Sequence, residues 1–138
     1  MRLPSNLPRM PPLEHLQRVP RYHLDALERQ GIFSTGLLLE VSETPTRRQY
    51  LADQINAEIT DVNDWRDEAL LLNLANFGLN EQALFTQAGI LGLSDLLGLD
   101  LDEFRAQLHR AARVVGTAAP DDLIVEGWWD QAHTLREE

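Results

Sequence analysis

"LANFGLNEQALFTQAGI", residues 74–90, decides how the chain is read, because its glycines stand where a tight hairpin between two helices needs them. Such a turn either presents amides to a phosphate or simply turns a corner in a helical core. Just upstream, the run "ALLLNLANF", Ala69 to Phe77, is apolar around too much of its circumference for a surface helix. It reads as a central buried helix, with an oligomer seam as the other reading. The stretch is thus helix, turn, helix, ending in Gly89-Ile90.

The same periodicity extends outward. From Leu13 onward apolar residues recur at spacings of three and four, and strand-like alternation is scarce. Thr44-Pro45 pairs a capping residue with proline at a first helical position, opening a helix through about Ile55 on Tyr50, Leu51 and Ile55. Asp61 or Asn63 opens the next, with Trp65, Ala69, Leu72 and Ala75 as its stripe. Asp100 with Glu103 has capping-box spacing ahead of Phe104, Leu108 and Ala111 or Ala112. Pro120-Asp121-Asp122 starts a last helix on which Ile124, Trp128, Gln131 or Ala132 and Leu135 share a face. The expectation is an all-α protein of about eight or nine helices.

An internal repeat organises these elements. Placing Gly31-Ile32 on Gly89-Ile90, an offset of 89 − 31 = 58, pairs Leu16 with Leu74, Val19 with Phe77, Leu38 with Leu96 and Leu39 with Leu97. A one-residue shift then pairs Arg48 with Arg105 and Leu51 with Leu108. Units this small bury their faces by completing each other's core. The expected division is a proline-rich arm at 1–12, a first unit at 13–58, a second at 59–116 and a Trp-containing helix at 117–138, with 12–138 as one globular domain.

Each unit resembles the helix-hairpin-helix (HhH) motif, an apolar-Pro-Gly-apolar-Gly turn before a helix ending in Gly-Ile or Gly-Val. The tandem layout, with "TPTRRQYLADQI" after the first unit and "WRDEALLLNLANFGL" leading into the second, is similar to the DUF4332 family over roughly Leu13 to Val114. The resemblance to the helix-hairpin-helix motif implies hairpin amides at a helix N-terminus that donate to a phosphate oxygen. Carried over residue by residue, the two glycine positions fall on Arg18 and Pro20 in the first unit, where both glycines are lost and proline removes a donor. In the second they fall on Asn76 and Gly78, and asparagine tolerates the left-handed conformation well. Asn76, Phe77 and Gly78 are therefore the candidate anion site, with Arg18, Arg21, Arg47 and Arg48 as its candidate basic support.

Charge opposes that use. Residues 1–60 hold seven arginines against seven acids, whereas residues 61–138 hold five against fifteen, so the whole net charge of −10 lies in the second half. All twelve basic residues are arginine. An acidic half repels nucleic acid and membrane surfaces unless arginines gather on one face. Turn geometry and positive charge thus sit in different copies of the unit.

Other chemistry finds little support. Without cysteine there are no disulfides, thiolate metal sites or cysteine nucleophiles. His15, His23, His109 and His133 show no metal-ligand spacing, and "DLDEF", Asp100 to Phe104, lacks the ligand spacing and turn glycine of a calcium loop. Ser34, Ser42, Thr44 and Ser94 all precede helical patterns, as capping residues do. No enzyme, metal or cofactor is expected. The opening "MRLPSNLPRMPPLEHL" carries prolines in place of an apolar run, so no membrane association and a soluble, cytoplasmic protein are expected.

"GWWDQ" is the remaining segment of note. Trp128 and Trp129 point about 100° apart on a helix, so a thin core contact cannot bury both. Either one or both pack beneath the units as core anchors, the favoured reading, or one is an interface hot spot beside Val125 or Leu135. The expected function is a non-enzymatic interaction or scaffold protein, with a protein partner or homodimer favoured. The alternative is a sequence-independent nucleic-acid-binding module using the second hairpin.

Overall fold

A computed structural model of the chain describes residues 11–137. Its elements are a 3-10 turn, Leu13–His15, and eight α-helices among the described residues: α1 Arg21–Arg29, α2 Thr35–Val41, α3 Pro45–Ile55, α4 Ile59–Leu72, α5 Leu79–Gln87, α6 Leu93–Leu97, α7 Leu101–Val115 and α8 Asp122–Glu137. No strand forms among them, and the chain is all-α. Two compact units result, the first ending at Trp65 and the second starting at Arg66, so the division falls inside α4. Among the described residues, no helix is long and apolar enough to cross a membrane.

The offset of 58 is visible in the backbone. α1 and α5 have the same length and bounds at that offset, and α2 and α6 start in register. Both nine-residue helices end on a left-handed glycine, Gly31 at φ +83° and Gly89 at φ +80°. In each, the next residue's N–H reaches back to a buried position, Ile32 to the Leu27 carbonyl at 3.1 Å and Ile90 to the Phe85 carbonyl at 2.9 Å. The glycine N–H groups bond Glu28 and Thr86. This closure satisfies carbonyls that a helix end leaves open, and it requires positive φ at the turning residue. Burial follows the same register: Leu16 and Leu74, Leu27 and Phe85, Ile32 and Ile90, Leu38 and Leu96 are all core residues. Leu51 and Leu108 match after the one-residue shift.

Local chemistry sets several boundaries. The Ser34 hydroxyl accepts from the Leu37 N–H at 3.2 Å at the start of α2, and Thr44 accepts from Arg47 at 3.1 Å ahead of Pro45 in α3. Asp100 and Glu103 exchange bonds of 2.7 and 3.0 Å at the start of α7, a reciprocal cap. α4 begins earlier than Asp61 or Asn63 suggests. Asp61 acts backwards, its carboxylate accepting from the Glu58 N–H at 3.0 Å, so it lies inside the first turn. Ser42 closes α2 by donating to the Leu38 carbonyl, and Ser94 bonds Asp67 through both hydroxyl and N–H. Tyr50, placed on the apolar stripe of α3 by its spacing, is exposed, while Leu51 and Ile55 are buried.

In the first unit α1 and α2 pack against α3. Residues 1–10 of the proline-rich arm lie outside the described residues, but its end is fixed: the Thr35 N–H bonds the Pro11 carbonyl at 3.0 Å, and Leu13 bonds Phe33 at 3.1 Å. In the second unit α7 packs on α5, and α8 on α6 and α7. Its core is aromatic. Phe85, fully buried, meets Phe77, Phe104 and Trp128 edge to face at centroid distances of 4.8, 5.7 and 5.1 Å. That arrangement suits the ring quadrupoles.

Candidate functional site

The hairpin of the second unit is built from its own ends inward. Asn73 stops α4, its side-chain amide donating to the Ala69 carbonyl at 2.7 Å. Ala75 is held on both sides by α8: its N–H donates to Gln131 at 2.9 Å, and its carbonyl accepts from the Trp128 indole at 2.7 Å. Asn76 then takes the left-handed conformation at φ +59°, as asparagine can without a large penalty. Phe77 turns into the core between Phe85 and Trp128. Gly78 caps α5 in an extended conformation, φ −120°, so the left-handed turn is made by Asn76 alone.

The decisive bond is at Gly78. Its N–H, one of the donors a phosphate would use, bonds the Glu81 carboxylate at 2.8 Å. Glycine has no side chain to return the bond, so only one half of a capping box exists here. The anion at this helix start is the chain's own. Bonds to a charged acceptor contribute about 1.5–3 kcal/mol, and an incoming phosphate must displace this one and then face the carboxylate it displaced.

The four candidate basic residues lie in the first unit and have partners there. Arg18 pairs with Asp64 at 3.6 Å and Arg21 with Asp25 at 3.4 Å. Arg47 donates to the Glu40 carbonyl at 3.2 Å and pairs with Glu43 at 3.5 Å. Arg48 donates to the Ser42 carbonyl at 2.8 Å and to that of Glu43 at 3.4 Å. Arg47 and Arg48 therefore satisfy carbonyls at the α2–α3 turn, as cations at a helix C-terminus do.

The tryptophan surface is narrower than the sequence suggests. Val125 and Trp128 are buried in the second unit, Trp128 against Phe77 and Phe85, so neither is an exposed hot spot. Trp129 and Leu135 are half-buried. Trp129 stacks beside His133 at 4.2 Å and approaches Phe104 at 6.4 Å.

Apolar exposure concentrates elsewhere on the second unit. Val114 is 70% and Leu123 81% exposed, with Val115 also open to solvent. A cleft of about 400 Å³ opens beside the hairpin, lined among others by Asn76, Asn80, Leu84, Val115, Ile124 and Trp128. The sequence signal was "RVVGTAAPDDL", where two valines end α7 off its buried stripe, just ahead of a loop. A cleft of about 480 Å³ in the first unit has Ile32, Tyr50 and Leu51 on its walls, with Glu40 and Arg47 balancing in charge. Arg105, the counterpart of Arg48, gathers Asp102, Asp122 and Glu126 at 3.1, 3.2 and 3.5 Å and so ties α8 to α7. Among the described residues, no group of three or more histidines and acids could hold a metal ion.

Fold and site together define an all-helical chain in which α5 and the start of α6 repeat α1 and the start of α2 at an offset of 58, with an apolar-lined cleft beside its second hairpin. It belongs to the DUF4332 family, described as a domain of unknown function, whose model matches residues 19–135. No curated protein and no solved structure matches the chain.

Proposed function

We propose that this protein is a non-enzymatic helical scaffold that binds other protein surfaces through its second unit. The observation that carries this reading is the exposure of Val114, Val115 and Leu123 on α7 and α8, with Val115 also on the wall of an apolar-lined cleft. An apolar-lined cleft with an exposed valine on its wall suits a protein-binding surface. The nucleic-acid reading draws on the left-handed Asn76 turn, and it stands second because Glu81 occupies Gly78 and residues 66–138 carry five arginines against thirteen acids.

Sedimentation of the full chain tests the scaffold reading. The expected mass rises above the 15.7 kDa of one chain as concentration increases, and Leu123→Glu returns it to that value with helicity unchanged. Leu123 is exposed, so the substitution leaves the core intact. A single-chain mass at every concentration contradicts the reading.

A further inference from the structure

We propose that α7 and the start of α8 form a two-fold seam with a second copy of this chain, the two α7 helices lying antiparallel. The inference rests on the protein-binding reading above and names its partner.

One face of α7 points away from the core. Glu103, Ala106, Arg110, Arg113 and Val114 are exposed, while Phe104, Leu108, Ala111 and Ala112 are buried. Spacings of three and four place the exposed five on one stripe, opposite the buried one. Charge is graded along that stripe. Asp102 and Glu103 stand in the first turn and Arg110 and Arg113 toward the end, as the helix dipole favours. Arg110 and Arg113 have no hydrogen bond or ion pair among the described residues. Glu103 gives one carboxylate oxygen to the Asp100 N–H and has the other for a partner.

The apolar groups divide between the same two ends. Val114, 70% exposed, lies at the arginine end. Leu123, 81% exposed, is carried to the acidic end, because the Arg105 guanidinium holds Asp102 of α7 and Asp122 of α8 together, at 3.1 and 3.2 Å. These two are the most exposed large apolar side chains among the described residues. Each end therefore holds what the other lacks. In an antiparallel pair, Glu103 of each copy meets Arg113 of the other, and Leu123 of each meets Val114 of the other. A parallel pair sets arginine on arginine and acid on acid. Ala106, between the ends, is small enough to let the axes approach to about 8–10 Å. The pairing is closed, because the same surface serves both copies. Opposed charges fix its register, and burial of Leu123 and Val114 contributes affinity.

Sedimentation of full-length chains at about 0.15 M salt tests the seam, since a screening length of about 8 Å damps repulsion between two acidic copies and spares close pairs. Arg110→Glu with Arg113→Glu, and separately Glu103→Arg, are each expected to weaken self-association by about tenfold or more with helicity retained. Mixing the two variants restores it, because one charge pair of the seam is then native and the other reversed. A second measurement leaves the charges of α7 untouched. The chain has no cysteine, so Val114→Cys and Leu123→Cys each introduce a single thiol. Under mild oxidation the two variants are expected to link faster when mixed than when either is alone. Association that survives both charge variants but is lost with Leu123→Glu overturns the seam and leaves the scaffold reading standing. Loss without rescue on mixing, or disulfides that form no faster in the mixture, also overturns the seam. A single-chain mass for the unaltered chain at every concentration overturns both.

Discussion

Phe85→Ala is expected to lower the stability of the second unit by about 3–5 kcal/mol, the range for truncating a buried phenylalanine. The ring is fully buried and sits at the centre of three edge-to-face pairs, so its loss leaves a cavity that Phe77, Phe104 and Trp128 cannot close together. Each such pair contributes about 0.5–1.5 kcal/mol beyond burial. Because whole domains have only about 5–15 kcal/mol in hand, the urea midpoint should fall by a large fraction. The position is also where the repeat closes, since the Phe85 carbonyl accepts the Ile90 N–H. A loss below about 1.5 kcal/mol contradicts the core assigned here.

Trp128→Ala is expected to cost a similar amount, about 3–5 kcal/mol, and to loosen the hairpin as well. Two functions of this side chain separate in Trp128→Phe, which keeps a ring against Phe77 and Phe85 but loses the indole bond to the Ala75 carbonyl. Ala75 is exposed, so water can take over that acceptor and the loss should be only about 1–2 kcal/mol. Hydrogen exchange should nonetheless accelerate at Ala75 in the phenylalanine variant, because α8 then holds the corner only through Gln131. Equal destabilisation by phenylalanine and alanine contradicts the packing role.

What the residues revealed in advance was local. Thr44-Pro45 and Asp100 with Glu103 carry their own caps within four residues, so their helix starts are readable without neighbours. Gly31 and Gly89 likewise announce a left-handed stop. Asp61 misled because a carboxylate at the third helical position can cap as well as one before the helix. The same spacing, Gly78 to Glu81, was present in the sequence and foreshadowed the occupied hairpin.

Facts that depend on distant elements were not legible. Adjacent tryptophans show that one must turn away from a thin core, but only the position of the second unit's aromatic core selects Trp128 as the buried one. The stripe through α3 includes Tyr50 by spacing, yet it stays exposed on the wall of the first unit's cleft. Arg47 and Arg48 read as candidate basic support for the hairpin, whereas the α2–α3 turn supplies them with carbonyls.

The central contrast is between a corner and a grip at Asn76 to Gly78. Fluorescence anisotropy of a labelled DNA duplex with the full chain at about 50 mM salt addresses it most directly. Non-specific binders have Kd values of about 10⁻⁴–10⁻⁶ M even at physiological salt and bind tighter below it. With Glu81 on the Gly78 amide and the net charge of −10 concentrated in residues 61–138, the anisotropy is predicted to stay flat up to about 100 μM protein. A saturable rise that weakens steeply with added salt contradicts the account.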